Sequence, residues 1–507
     1  MTKQTIVVGA GPGGLAAAMQ LADQGYQVDL YEKQPQVGGR TSKLQLGDYA
    51  FDLGPTFFMM PQVLEEVFER VGRQLHDYVD LIELDPLYTL KFGDVSFTPS
   101  RDVEATAEQI SQLFPGDEDG YRRFLNKEGA KFDRVINLLR QPFNSYTDFL
   151  TKDMALALPK LNALDTVYGR LSHYFQDERL KWAFSFQAKY LGMSAWNCPG
   201  TFTILSYIEH RYGLYHPVGG VNAVCEAMRD VILELGGRVH LETPVNQIIV
   251  NNGRATGVEL ADGRIQEADD VVINADFGYA VNHLFDPNDL TKYKPEKLQK
   301  KKLSCSTFMV YLGIDQELDL PHHMVLFAED YKRNVEDMTE RQVLSDDPSI
   351  YVHNPNKLDS TLAPEGKTAL YLLMPVPNLT AGIDWEDEKQ RLRDYMVQQI
   401  ANETGLHDLE DLIEVEHIVT PSDWEETYHV YEGATFNLAH SLDQMMIFRP
   451  HNQFEDVDHC FLVGGGTHPG SGLPTIFQSA MISVDLLTSQ PGYQSQKPSK
   501  GRVAHEY

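Results

Sequence analysis

A chain of 507 residues is too long for one hydrophobic core, so two domains or a split pair are expected. Its 43 basic and 73 acidic residues give a formal net charge of -30, which repels nucleic acid and argues against a nucleic-acid partner. Cys198, Cys225, Cys305 and Cys460 lie far apart with no paired short spacing, so neither a zinc site nor a disulfide framework is indicated and a reducing cytosol is expected.

No charged segment followed by an apolar stretch and cleavage site opens the sequence, and no uncharged apolar run reaches the ~18 residues of a membrane span. The β-branched run Thr5 to Val8 predicts a strand, Leu15 to Leu21 an Ala-rich helix, and Gln27 to Tyr31 a second strand. Together they make a βαβ unit. Residues 96–214 carry long helical patterns rich in aromatics, such as Trp182 to Phe186. From Arg238 to Asp276 strand signals return, with Asn252-Gly253 and Asp262-Gly263 as tight turns of a three-stranded meander. Residues 286–414 mix strands, such as Phe308 to Leu312, with a helix from Trp385 to about Asn402. The strand Cys460 to Val463, a glycine-rich turn and a helix from about Ile476 to Leu487 follow. Beyond Gln490 the chain is polar and almost free of aliphatic residues, so residues 491–507 are expected to be a flexible tail.

Gly9-Ala10-Gly11-Pro12-Gly13-Gly14 fits G-x-G-x-x-G directly after a strand and before a helix. There the glycines allow a tight turn and close backbone approach to a pyrophosphate, which the helix N-terminus attracts without a lysine. Glu32, at the end of the second strand, is placed to accept hydrogen bonds from a ribose and disfavours a 2′-phosphate. The segment Val37-Gly38-Gly39-Arg40-Thr41 adds a second glycine pair and a fixed cation suited to a pyrophosphate, which points to FAD over NAD.

GAGPGGLAAA, EKQPQVGGRT and FDLGPTFFMMP together resemble the FAD-dependent amine oxidase and carotenoid desaturase superfamily, and the likeness covers nearly the whole chain. Phe51 to Thr56 is similar to the flavin-lining segment of bacterial phytoene and diapophytoene desaturases, which implies flavin contacts for Gly54, Pro55 and Thr56. Phe461 to Pro474 is similar to their C-terminal signature and implies the same for Gly465, Gly466, Gly472, Leu473 and Pro474. Val245, among the returning strands, is included in the expected cofactor set. Ser349 to Val352 and Thr420 to Trp424 are similar to segments of Gram-positive diapophytoene desaturases.

The resemblance implies an α/β fold: a Rossmann-type FAD-binding domain of p-hydroxybenzoate-hydroxylase-like topology interwoven with an α+β substrate domain. Residues 1–95, 215–285 and 415–490 are expected in the first; residues 96–214 and 286–414 are expected in the second, which would also meet the membrane. It implies desaturation of a C30 or C40 isoprenoid, diapophytoene being favoured, by hydride transfer to flavin. A carotenoid end-group oxygenase or isomerase, an amine oxidase and a non-catalytic FAD-binding escort protein stand as alternatives. Related oxygenases carry Asn-Pro-Gly where this chain has Thr467-His468-Pro469-Gly470, which favours the desaturase.

No second strand leads into G-x-G-x-x-G, Val218-Gly219-Gly220-Val221 being too short, so oxygen or a membrane quinone is the expected electron acceptor. A long apolar substrate implies peripheral attachment to the cytoplasmic membrane through an exposed apolar patch within residues 125–215. Tyr207, Tyr212, Tyr215, Trp182, Phe184 and Phe186 are candidates for lining its channel. The catalytic side chain stays unassigned. His468 is either an acid–base group or a loop-orienting one, and Arg449 contacts either flavin, loop backbone or an ion-pair partner. His322, His323 and Cys460 form no recognisable ligand set, and no metal is expected.

Overall fold

Five parallel strands from three distant stretches of chain form the first sheet, in the order Arg238–His240, Gln27–Tyr31 (β2), Gln4–Val8 (β1), Asp270–Ile273 and Cys460–Leu462. The computed structural model describes residues 3–490, so the expected tail lies outside the described residues. Side chains alternate across the strands. Ile6, Val8, Val271 and Ile273 meet Ile248, Val258 and Leu260 of the antiparallel meander Val245–Asn251, Arg254–Leu260 and Ile265–Glu267. Val7, Leu30 and Val272 share the other core with the Ala-rich helix Pro12–Asp23 (α1). That helix packs between Asn222–Glu234 and the C-terminal helix Leu473–Thr488.

The second sheet has seven strands, ordered Ile413–Val419, Ser306–Ile314, Thr368–Val376, Ile350–His353, His323–Leu326, Thr89–Phe92 and Val95–Phe97. One face is covered by the helix Trp385–Thr404, whose Trp385, Leu392, Met396 and Ile400 pack on Phe308, Val310, Leu370 and Leu372. Asp384 caps that helix by accepting from Glu386 N–H and Asp387 N–H, and three acids in its first turn suit the helix dipole. The opposite face, with Met309, Val325, Tyr351, Tyr371 and Leu373, borders the central cavity.

The second sheet spans the expected domain boundaries. Thr89–Phe92 pairs in parallel with His323–Leu326, and Ile413–Val419 pairs with Ser306–Ile314, so boundaries at 95 and 415 cut through the second sheet. Strand pairing across hundreds of residues satisfies backbone groups that local sequence leaves open. The helices of residues 96–214 are also less regular than their pattern suggests. Val103–Leu113 and Glu118–Leu139 are long, but the Trp182 to Phe186 run ends a six-residue helix, Glu178–Ala183, and most of the stretch between 140 and 203 is short turns.

Candidate FAD site and apolar cavity

β1 runs into the glycine turn that opens α1. Gly9 N–H donates to Tyr31 O at 2.8 Å, and Gly38 N–H donates to Ala10 O at 2.8 Å, so the two glycine segments lie against each other. At Gly14 a Cβ would stand 2.1 Å from the Gly9 carbonyl oxygen, leaving no room for any side chain. α1 has no side-chain cap and no acid in its first turn. Its leading N–H groups are thereby left for a ligand anion.

The C-terminal loop repeats this device. Gly472 adopts φ +107°, a backbone that favours glycine, and starts the helix Leu473–Thr488 with no side-chain cap and a proline in the first turn. The two uncapped helices lie side by side and open onto one cavity of about 800 Å³. Its wall includes Gly9, Gly11, Gly13, Glu32, Gly39, Arg40, Thr41, Gly54, Pro55, Thr56, Val245, Gly465, Gly466, Gly472, Leu473 and Pro474. Ala10, Gly14 and Gly38 stand behind it. Their part is to shape the turn.

Glu32 accepts from Ala10 N–H at 2.7 Å and from Gln34 N–H at 2.9 Å. Each carboxylate oxygen keeps further acceptor capacity at the cavity wall. Arg40 lines the cavity but is not a free cation: it pairs with Asp276 at 2.5 Å and donates to Thr435 O at 2.9 Å, clamping three segments together. Asn274 is a residue that sequence reasoning missed. It follows the strand Asp270–Ile273, donates to Gly9 O at 3.2 Å, and its amide atoms lie 2.7–2.8 Å from where a Cβ on Gly11 or Gly13 would be. Only the adjacency of strands in the sheet reveals it.

Arg449 contacts loop backbone, with no carboxylate partner among the described residues. Fully buried, it donates to Gly465 O at 2.7 Å, Thr467 O at 3.2 Å and Leu438 O at 3.3 Å. Burial pulls its pKa down to about 9, so it remains a cation at neutral pH. His468 is turned by the Gln141 carbonyl, 3.0 Å from Nε2, and by the edge of Phe143. Burial pulls it down to about 3, which makes it a neutral, loop-orienting imidazole. Lys189, absent from the sequence-based set, lines the cavity with its ammonium 4.6 Å from the Tyr331 ring centre, and burial lowers it to about 8. Cys460 is buried in its strand away from the cavity wall, and burial pushes its thiol up.

Away from the glycine turns the cavity becomes apolar. Phe132, Val135, Ile136 and Leu139 of the helix Glu118–Leu139 line it together with Phe143, Phe149, Met154, Leu161, Leu205 and Ile208. Of the six aromatics expected as lining, Phe186 is on the wall. Trp182, Phe184, Tyr207, Tyr212 and Tyr215 pack in or against the core instead. At the outer end, Leu158 and Phe448 both line the cavity and face solvent.

The fold also gathers His322 and His323 with His216 and His353 into one buried cluster. It adjoins Tyr351, which bridges His323 Nδ1 at 2.7 Å to the cavity-lining Thr56 Oγ1 at 2.5 Å. These histidines come from three separate segments, so spacing along the chain conceals the group.

Two anion-attracting helix ends, a carboxylate at the second strand and an apolar channel opening on one cavity define a dinucleotide-dependent oxidoreductase. The uncapped N–H groups and close glycine backbones fit FAD. Across residues 12–487 the chain matches the model described as flavin containing amine oxidoreductase, and it belongs to that family as an FAD-dependent oxidoreductase. Among curated relatives, a 4,4'-diapophytoene desaturase (4,4'-diapolycopene-forming) of Methylomonas sp is 44% identical, with 96% of each chain covered. A zeta-carotene-forming phytoene desaturase of Myxococcus xanthus is 38% identical over 96% of this chain and 94% of its own. The fold is shared with a solved oxidoreductase from Methanosarcina mazei at TM-score 0.59 and 18% identity, covering 95% of this chain and 100% of that one. Cyclohexylamine oxidase from Brevibacterium oxydans shares it at TM-score 0.59 and 15% identity, covering 96% and 99%.

Proposed function

We propose that this protein is a carotenoid desaturase whose substrate is a C30 isoprenoid, diapophytoene, and that it works at a membrane surface. The observation that carries the reading is the single cavity, which runs from the two uncapped helix N-termini to an apolar outer end. A relative 44% identical over 96% of the chain, named for desaturating diapophytoene, supports the C30 choice.

When bound, FAD supplies the two-electron acceptor for removal of hydrogen from a carbon–carbon single bond. The helix ends at Gly11 to Gly13 and Gly472 to Pro474 would hold its polar parts, and Arg449 ties the Gly465 to Thr467 loop, through two of its carbonyls, to the Leu438 carbonyl. The side chains of Phe132, Ile136, Leu205 and Ile208 keep water from an elongated hydrocarbon and align it by shape. Allylic charge developing in the polyene is delocalised along the substrate itself, so the wall needs little polar chemistry. Neutral His468 agrees with that.

Among the described residues no helix is long and apolar enough to cross a membrane. Attachment by a surface patch is supported by Tyr146, Leu150, Leu156, Leu158 and Leu164, which are exposed together with Leu442 and Phe448, and by the edge contact between Tyr146 and Phe448. The patch falls within the expected residues 125–215 and is extended by residues 442–448. Electrons pass on to oxygen or a membrane quinone, on the cytoplasmic side of the bilayer. The test presents FAD-loaded protein with diapophytoene or phytoene in liposomes, under air and with added quinone, and follows red-shifted polyene absorbance and product mass. Conversion of diapophytoene in preference to phytoene is expected; no polyene from either under any acceptor would overturn the reading.

A further inference from the structure

Outside the flavin cavity, the densest group of unused chemistry is the buried histidine cluster. His216 lies in the strand Leu214–Pro217, His322 and His323 enter the strand His323–Leu326, and His353 ends the strand Ile350–His353. The four side chains are buried, with relative exposures of 0, 9, 1 and 1%. Six of their ring nitrogens, Nδ1 of His216, both of His322, Nε2 of His323 and both of His353, have no hydrogen-bond partner among the described residues. Buried polar atoms left so are costly and call for a ligand or solvent that completes them.

Their arrangement narrows the choice. One nitrogen each from His216, His322 and His353 lies within 4.8 Å of the others. Tetrahedral coordination with bonds of ~2.0–2.1 Å brings such nitrogens to about 3.4 Å, which small side-chain rotations supply. His216 is already set for a ligand's role. Its Nε2 faces Asp359 Oδ2 at 2.9 Å, and Asp359 is itself held by Gly219 N–H at 2.7 Å and by Thr361 N–H and Oγ1 at 3.0 and 2.6 Å. A carboxylate on one ring nitrogen fixes the tautomer and presents the other nitrogen's lone pair, as in histidines that bind metals.

We propose that His216, His322 and His353 bind one divalent transition-metal ion of the zinc class, with Asp359 orienting His216. Three imidazoles with no thiolate select a borderline ion over calcium or magnesium, and a fourth position is left for water or His323 Nε2. The ion ties the small sheet of Phe58–Met59, Leu214–Pro217 and Leu81–Glu83, which holds His216, to the seven-stranded sheet, which holds His353 and has His322 just before one of its strands. Through His323, Tyr351 and Thr56 the same tie braces one wall of the flavin cavity. Its role is structural and does not depend on which hydrocarbon the enzyme takes.

The test uses FAD-loaded wild-type protein stripped with a chelator and then equilibrated with zinc chloride or cobalt chloride. Expected are about one ion per chain by elemental analysis, the visible bands of tetrahedral cobalt, and a higher unfolding temperature with zinc. Asp359→Asn should keep flavin and fold yet weaken zinc binding about 10- to 100-fold. His322→Asn and His353→Asn should abolish the stoichiometric ion and the zinc-dependent rise in unfolding temperature. Substoichiometric metal in flavin-replete wild type after equilibration, or full uptake that persists in both histidine variants, would overturn the proposal.

Discussion

The two ends of the cavity are built on opposite principles. At the cofactor end, glycines and helix N-termini do the work, and the few charged side chains, Glu32, Arg40 and Arg449, are each fixed by named backbone or carboxylate partners. At the outer end the wall is aliphatic and aromatic, carried on short helices and turns, and its mouth leaves large apolar groups in solvent. The first end tolerates almost no change of volume. The second depends on total apolar volume and tolerates exchanges that preserve it.

The sharpest way to break this contrast is Gly14→Val, which drives a side chain into the Gly9 carbonyl at the turn. Loss of FAD from the purified protein is expected, read as the ratio of flavin to protein absorbance; retention of flavin would show that the turn is more plastic than its geometry.

Acid separates the ends next. Burial holds His210 and His468 down at about 3 and His440 well below its ordinary value. The unfolded chain takes up protons near pH 6.5 while the folded chain does not, so stability falls as pH drops from about 6.5 towards 3. At about pH 5 His210 and His468 cost ~2 kcal/mol each, and His440 acts in the same direction. Urea unfolding at neutral and mildly acid pH measures this, and His210→Asn should remove ~2 kcal/mol of the acid-induced loss. His440 accepts from Ser471 N–H at 3.1 Å, so the cofactor loop feels the acid directly.

Arg449→Ala leaves the carbonyls of Leu438, Gly465 and Thr467 buried without their donor. A loss of about 3 kcal/mol in stability is expected, with weaker FAD retention, measured by denaturant unfolding and flavin titration. Smallest in its effect on the fold is the triple change Leu150→Ser, Leu156→Ser and Leu164→Ser at the outer end. Stability should move by less than ~0.5 kcal/mol per site and flavin content not at all. Liposome co-sedimentation should fall about tenfold or more; unchanged sedimentation would remove the patch from the proposed membrane-docking surface.

The cofactor end was the more legible in sequence because its chemistry is local. A strand, a glycine turn and a helix follow one another within a few residues, and the phosphate-binding groups are backbone, so the spacing of Gly9 to Gly14 and of Gly464 to Gly472 already implies their direction. Arg40 shows the limit of that reading. Its cation was visible, but Asp276 and Thr435, which absorb it, are brought in by tertiary contacts. At the outer end, aromatic content pointed to Trp182, Phe184 and the tyrosines, whereas the wall is formed by Phe132, Ile136, Leu205 and Ile208. Composition tells which residues seek burial but not which of them border a void.

By itself, then, the sequence determined a dinucleotide turn, an acidic strand end, a second glycine loop and a family likeness strong enough to select FAD. Only the tertiary structure decided what lies between them: Asn274 beside the turn, Arg449 under the loop, the path of the apolar channel and the meeting of four histidines. The physical reason is range. Turns and helix ends are set by neighbours a few residues away, while cavities and side-chain clusters are set by strands that pair across hundreds.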